Sequence, residues 1–337
     1  MTTYFLRRVL WMIPVLFVVA LITFILMHAA PGGPWDRDLS SRQVDATTQK
    51  VLNKHYGLDK PLWRQFMAYV IGDVSVSQVE GETSFECGLV CGNLGPSYRI
   101  RGRTVQDILF DPPKDKSFIY SKFGYSMRLG FLALMMAIVI GIPTGVIAAL
   151  KQNSWADYIS LFIATVGISV PSFVMAIFLI IIFASMLHVV SVVPKSWDVQ
   201  KAWILPAAVL GFGTLAYTAR LTRASMLEVL RQDYVRTARA KGLREQVVVY
   251  SHMLRNALIP VVTILGPSLA ALVTGSFIIE GMFGFPGMGT AYVVAIRQRD
   301  YSMIMGTTLL YVFLVSIANL SVDFLYVTID PRIRLEE

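Results

Sequence analysis

The chain has 337 residues, 55% of them hydrophobic and 15% charged, with a mean hydropathy of +0.58. So little charge cannot cover a water-soluble globule of this size, which excludes an ordinary soluble enzyme and leaves membrane embedding. The formal charge of +8 would suit nucleic acid in a soluble chain, whereas in a membrane protein Lys and Arg gather on cytoplasmic loops.

The first apolar block runs from Val9 to Met27 behind Arg7 and Arg8. It is long enough to cross a hydrocarbon core of ~30 Å and exceeds the ~7–15 residue core of a signal peptide, so an uncleaved anchor is expected. Further blocks run from Met127 to Leu150, Tyr158 to Leu187, Trp203 to Ala219, Leu258 to Ile279 and Met303 to Ile329. The expected fold is therefore an all-α polytopic membrane protein with six transmembrane helices. Pro143, Pro171, Pro206 and Pro267, with the pair Gly141 and Gly145, lie inside the blocks, where neighbouring helices must repair the freed backbone groups. A packed bundle follows.

With the N-terminus inside, the cytoplasmic segments hold Arg7, Arg8, Lys151, Arg220, Arg223, Arg231, Arg236, Arg239, Lys241, Arg244, Arg255, Arg332 and Arg334. The short external loops hold Lys195, Lys201, Arg297 and Arg299, and both termini are expected in the cytoplasm. Orientation accounts for the excess charge, so membrane lipid is an expected partner and nucleic acid is not. Residues 1–30 then form a leading segment and first span, 31–122 an external subdomain, 123–330 the transmembrane core and 331–337 a cytoplasmic tail.

Segment 31–122 is too long for a simple connection and mixes Trp35, Trp63, Phe66, Tyr69 and Tyr98 with turn residues. It carries both cysteines, Cys87 and Cys91. On the oxidising side a bond between them can pin a turn, and a free pair is the other reading.

Between the fourth and fifth spans, residues 221–257 carry Leu227, Leu230, Tyr234 and Ala238 at three- and four-residue spacing, the pattern of one helix face. Gly242 stops that helix, with Lys241 in its last turn where a cation suits the helix dipole. A second helix carries Val247, Tyr250 and Leu254, with Asn256 near its end. Helix, glycine, helix makes a cytoplasmic knuckle whose tip Ala238 and Ala240 keep narrow, so that another protein can approach. The plainer reading is an amphipathic loop lying on lipid headgroups.

The run Asp233 to Leu243 (DYVRTARAKGL), followed by His252 to Pro260 (HMLRNALIP), resembles the EAA loop of ABC-importer permeases, specifically the first membrane subunit of the dipeptide and oligopeptide family. Arg236 and Thr237 depart from the general Glu-Ala spelling, while Ala238 and Gly242 match. Tyr4 to Arg8 with Pro14, Pro31 to Pro34, Tyr56 to Leu62, Asn93 to Ser97, Glu280 to Gly289 and Asp330 to Arg332 resemble other motifs of that family, in order along nearly the whole chain. Residues 74–92, with both cysteines, look like an insertion.

The resemblance implies a binding-protein-dependent importer in the inner membrane of a prokaryote. Its partners would be a second homologous permease subunit, two ATP-binding subunits and an external substrate-binding protein. Coupling to the ATPase falls to Tyr234, Ala238, Arg239, Ala240, Lys241, Gly242, Leu243 and Asn256. An external gate or re-entrant loop falls to Glu280, Phe283, Pro286, Gly287 and Gly289. The expected cargo is a di- or oligopeptide, with nickel chelates, glutathione or short glycans as alternatives.

The sequence holds no phosphate-binding Gly-x-x-x-x-Gly-Lys-Ser/Thr loop, so ATP and Mg belong on partner subunits and the chain itself is expected to be non-catalytic and free of cofactors. Asp323, inside the sixth span, is costly in lipid and should face the bundle, as a structural hydrogen-bond partner before a substrate contact. His28 and His188 stand at outer span ends, and four scattered histidines make no metal cluster. An intramembrane hydrolase would need a nucleophile paired with a base on facing spans, and none occurs. A carrier coupled to ions would show repeats and several buried charges, which are also missing.

Overall fold

A computed structural model describes residues 2–35, 45–76, 83–273 and 277–329, with side chains described over 5–35, 45–73, 87–273 and 277–321. Helices carry most of the chain. In order they are α1 (Thr2–Ala29), α2 (Ala46–His55), α3 (Leu62–Val70), then strands β1 (Gly72–Val76) and β2 (Thr83–Cys87), and α4 (Val105–Phe110). Next come α5 (Lys122–Leu150), α6 (Trp155–Ser169), α7 (Ser172–Met186), α8 (Lys201–Leu230), α9 (Asp233–Ala240), α10 (Glu245–Val273), α11 (Phe277–Phe283), α12 (Met288–Gln298) and α13 (Tyr301–Ile329).

Among the described residues five helices are long and apolar enough to cross a membrane, and two bent pairs bring the number to seven if each pair is one span. One pair, α6 and α7, covers the third block read from the sequence, Tyr158 to Leu187, and turns by 115° within it. The cause is local: Pro171 offers no N–H and pushes Val170 into extended backbone at φ −85°, ψ 124°. The other pair, α11 and α12, bends by 98° across the Gly-Phe-Pro-Gly stretch.

The chain divides into two compact units. In the first (1–8, 125–289 and 314–337), α8 is the hub, packed against α5, α6, α7 and α10. Helices approach closely where side chains vanish. A Cβ on Gly145 of α5 would lie 2.5 Å from the Ala219 carbonyl oxygen of α8, and one on Gly211 of α8 would lie 2.7 Å from the Ala133 carbonyl oxygen of α5. Such contact is how helices gain packing energy where hydrophobic burial offers little. A buried ion pair fixes the α6 end, with Arg223 donating to both carboxylate oxygens of Asp157 at 2.5 and 2.8 Å and the Asn153 N–H donating at 2.9 Å.

The second unit (9–124 and 290–313) gathers the aromatic residues of segment 31–122. Trp35, Tyr56 and Tyr98 pack with ring centroids 4.7 to 5.9 Å apart, and the Trp35 indole donates to Asn53 Oδ1 at 2.6 Å. Burial pushes the Tyr98 phenol up to about 12. Asp300, before α13, accepts from the Ser97 hydroxyl at 2.5 Å, the Tyr98 N–H at 3.2 Å and the Met303 N–H at 3.3 Å. Nearby, α4 starts on a capping box in which Thr104 Oγ1 accepts from the Asp107 N–H and Asp107 accepts from the Thr104 N–H.

β1 and β2 form an antiparallel hairpin, with Gly72 opposite Cys87 and Val76 opposite Thr83. No strand was expected there, because the stretch reads only as an insertion. Cys87 and Cys91 are joined by a disulfide with their Cα atoms 5.9 Å apart, closing a short 3₁₀ turn immediately after β2.

Candidate functional site

The turn at Gly242 is built by local rules. α8 runs out at Leu230, and Gln232 takes extended backbone (φ −74°, ψ 146°), so α9 starts afresh at Asp233. An acidic residue in the first turn suits the positive end of the helix dipole. α9 closes in a Schellman motif, in which the Gly242 N–H donates to the Arg239 carbonyl at 2.9 Å and the Leu243 N–H to the Ala238 carbonyl at 3.4 Å. Gly242 sits at φ +75°. A Cβ there would meet nothing within 4 Å, so glycine is required for its backbone angle alone.

Two side-chain ties bridge the turn. Arg239 donates from Nε and Nη2 to the Glu245 carboxylate at 3.2 and 2.6 Å, and this bonding raises the Arg239 pKa above its ordinary value. Asn256 Nδ2 donates to the Tyr234 hydroxyl at 2.8 Å. Beneath them Val235 and Ala238 bury against Val248, Val249, Met253 and Ala257 of α10. The facing part of α10, Val248–Leu254, is a π-helical stretch, a widened turn often found at functional sites.

Two expectations change here. Leu227 and Leu230 do not share a helix with Tyr234 and Ala238, because the break at Arg231 and Gln232 separates α8 from α9. Ala238 is 4% exposed, so its small side chain lets α9 settle onto α10 and does not narrow a surface for another protein. The outward face carries Tyr234, Arg239, Ala240, Lys241, Gly242, Leu243 and Asn256, all exposed.

The second predicted group forms a buried knot. Glu280, fully buried on α11, accepts the Ser126 hydroxyl at 2.8 Å, and Ser126 Oγ in turn accepts the Met288 N–H at 2.8 Å. The Phe285 N–H donates to the Glu280 carbonyl at 2.7 Å. A Cβ on Gly287 would stand 2.5 Å from both Glu280 Oε2 and Ser126 Oγ, and one on Gly289 would stand 3.0 Å from Glu280 Oε2. The two glycines therefore make room for the carboxylate, and Glu280 braces the loop from inside. Phe283 is buried among Ala176, Leu205, Val209 and Ile279.

Sequence reading passed over the aromatic frame that holds this loop. Phe285 meets Trp197 at 4.7 Å, Trp203 at 5.0 Å and Tyr125 at 5.7 Å between ring centroids. The Arg128 guanidinium lies 4.2 Å over Trp203. A positive charge in the first turns of a span, with Trp behind the preceding polar stretch, was the signal available.

His28 packs on Phe24 and Tyr301, and His188 stands exposed at φ +52°. Asp323 lies on α13, but its side chain falls outside the described residues, as do Asp330 to Arg332 and the tail. Among the described residues no three His, Cys, Asp or Glu side chains converge to hold a metal ion.

Comparison with known proteins agrees along the full length. Residues 141–335 match a family model described as "Binding-protein-dependent transport system inner membrane component", and residues 1–117 match its N-terminal companion. The chain is 38% identical to the dipeptide transport system permease protein DppB of Bacillus subtilis, over 100% of this chain and 99% of that one. It is 36% identical to the oligopeptide transport system permease protein OppB of Escherichia coli K12, over 99% and 100%. It is also 36% identical to the glutathione transport system permease protein GsiC of Shigella flexneri, over 99% of each.

A solved structure of the MetNI methionine ABC transporter in inward-facing conformations aligns with a TM-score of 0.51 at 20% identity, covering 62% of this chain and 94% of that one, a likeness of fold. With the family model spanning more than half of the chain and relatives matched end to end, the protein belongs to the family of binding-protein-dependent transport system inner membrane components.

Proposed function

We propose that the chain is one membrane subunit of an ATP-driven importer for peptides, forming the translocation path with a second, homologous permease subunit. The observation that carries this reading is the full-length similarity to permease proteins named for dipeptide and oligopeptide transport. Two ATP-binding subunits, holding ATP and Mg, supply the energy, and an external binding protein delivers cargo. The chain lies in the inner membrane of a prokaryote with both termini in the cytoplasm.

The turn at Gly242 is the point at which the ATPase acts. Its support is geometric: α9 is locked to α10 through a buried apolar face, so a push on its exposed residues moves α10 as well. The Glu280 knot and its glycines act as an external gate scaffold. A second cargo, glutathione, is favoured by the GsiC relative, and glutathione is itself a small peptide.

Reconstitution of the four-part membrane complex with its binding protein tests the reading. ATP-dependent uptake of labelled di- and oligopeptides is expected, with glutathione as a competitor. ATP-dependent uptake of a metal chelate that peptides do not compete with would overturn it.

A further inference from the structure

α3 belongs to the segment expected outside the membrane, yet its packing sets it beside the middle of a span. The first span covers Phe5–Ala29, with Phe17 at its centre and Phe24 in the half that ends at Ala29. Phe66 of α3 is buried against both rings, its centroid 5.6 Å from that of Phe17 and 5.3 Å from that of Phe24, edge to face. Phe24 stands five positions before Ala29, about 8 Å inside the end of the span. Helical side chains lean toward the N-terminus, so its ring sits deeper still. Phe66 therefore reaches hydrocarbon depth in the leaflet at the Ala29 end of α1.

The rest of α3 suits that depth. Leu62, Trp63, Phe66, Met67 and Val70 fall on one half of the helix, and Arg64 and Gln65 on the other. From the apolar half α1 takes Phe66, while Leu62, Trp63 and Met67 stay exposed, Trp63 by 69%. These three continue the apolar surface of α1 formed by Val18, Ile22 and Ile25, which are exposed as well.

The polar side fits too. The Gln65 amide donates to the Leu58 and Lys60 carbonyls at 3.1 and 2.7 Å, pairing backbone groups of the turn that leads into α3, as immersion requires. Lys60 is itself paired with Asp73. Arg64 is exposed and has the length to reach headgroup phosphates from a helix lying below them.

We propose that α3 is an interfacial anchor, lying in the leaflet at the Ala29 end of α1 with Leu62, Trp63 and Met67 against phospholipid acyl chains. The occupant follows from depth and continuity. The face extends the lipid-facing side of a span at the level where that span is surrounded by hydrocarbon, and it carries Trp, a residue favoured just below the headgroups. The proposal goes beyond the importer reading and depends on α1 as a span, with no choice of cargo. A lone span is free to turn about its own axis. With α3 clamped to its side and seated in the leaflet, α1 is held in one rotational setting.

The test places a nitroxide on single introduced cysteines in the complete transporter, reconstituted in vesicles of phosphatidylethanolamine and phosphatidylglycerol with cysteines of the partner subunits replaced. Cys87 and Cys91, the only cysteines of the chain, are bonded to each other and stay unlabelled. Trp63→Cys and Met67→Cys report on α3, Ile25→Cys on the lipid side of α1, and Val51→Cys on α2, a mostly polar helix. Collisions with oxygen, which concentrates in lipid, and with a water-soluble nickel chelate are compared. Positions 63 and 67 should group with 25 and apart from 51, at a depth of about 5–10 Å below the headgroup boundary.

Collisions with the chelate at 63 and 67 equal to those at 51 would overturn the anchor while leaving the span intact. Protection of both positions from both reagents would assign the face to a neighbouring subunit and overturn lipid as its occupant. Chelate access at 25 would remove the span itself and the anchor with it.

A second measurement needs no label. In vesicles of a phosphatidylcholine brominated on its acyl chain, the emission of Trp63, obtained as wild type minus Trp63→Phe, should be quenched as strongly as that of Trp11 on α1, obtained from Trp11→Phe. An unquenched Trp63 beside a quenched Trp11 would overturn the proposal.

Discussion

Asn256 reaches across from α10 to donate to the hydroxyl of Tyr234 on α9 at 2.8 Å, joining the helix before the turn to the helix after it. Both residues are exposed, so the bond adds little to folding, on the order of 1 kcal/mol. Tyr234→Phe and Asn256→Ala should each leave the complex assembled and lower the peptide imported per ATP hydrolysed. The double variant should fall no further than either single one, because one contact is lost in all three. Additive losses in a coupled uptake and ATPase assay would separate the two residues.

At Gly242 the backbone angle decides. Gly242→Ala should cost about 1–2 kcal/mol through the left-handed angle, and Gly242→Asn distinctly less. Gly242→Pro should be worst, since it also removes the N–H that caps the Arg239 carbonyl. Pull-down of the ATPase subunits should rank the variants in that order, while membrane insertion stays intact. Equal retention by Ala and Pro would contradict the capping account.

Gly287 and Gly281 provide a matched pair. Gly287→Ala places a methyl 2.5 Å from Glu280 Oε2 and Ser126 Oγ, whereas Gly281→Ala meets nothing within 4 Å. Thermal unfolding of the purified complex should show a loss of about 1–3 kcal/mol for the first and little for the second.

The two arginine–carboxylate pairs should differ sharply. Asp157 is 1% exposed, and removing it leaves Arg223 without its partner, so Asp157→Ala should cost about 3–5 kcal/mol. The Arg239 and Glu245 side chains are 39% and 57% exposed, and Arg239→Ala should cost less than about 1 kcal/mol. High salt should weaken the second pair and spare the first.

Acid should act on the capping box of α4. Hydrogen bonds from Thr104, chiefly from its side chain, hold the Asp107 carboxyl below its usual range. A lowered folded pKa means stability that is present above the ordinary carboxylate value and lost as pH falls through the lowered one. The local protection of amides 105–107 in hydrogen exchange should therefore drop with acid, and Thr104→Ala should flatten that dependence.

The long apolar blocks were legible because lipid demands continuous runs, and α1, α5 and α8 fall where those runs stand. The Gly242 turn was legible for a local reason, a glycine after an amphipathic stretch. What escaped was set by distance or by continuity. Ser97 and Asp300 meet across 203 positions, and no local pattern links them. The apolar period runs through Arg231 and Gln232 without pause, so the break between α8 and α9 left no mark. Proline is tolerated inside spans, so Pro171 did not announce a bend of 115°. The seat of Arg128 over Trp203 left no local mark, because a cation at the end of a span is ordinarily an anchor and the ring it meets lies in another helix.

Asp300 takes three hydrogen bonds, two from the Ser97–Tyr98 turn and one from the first turn of α13. A single carboxylate thus ties the segment that follows the first helix to the start of the last. Displacing the Ser97–Tyr98 turn therefore loads the first turn of α13 directly, through one side chain.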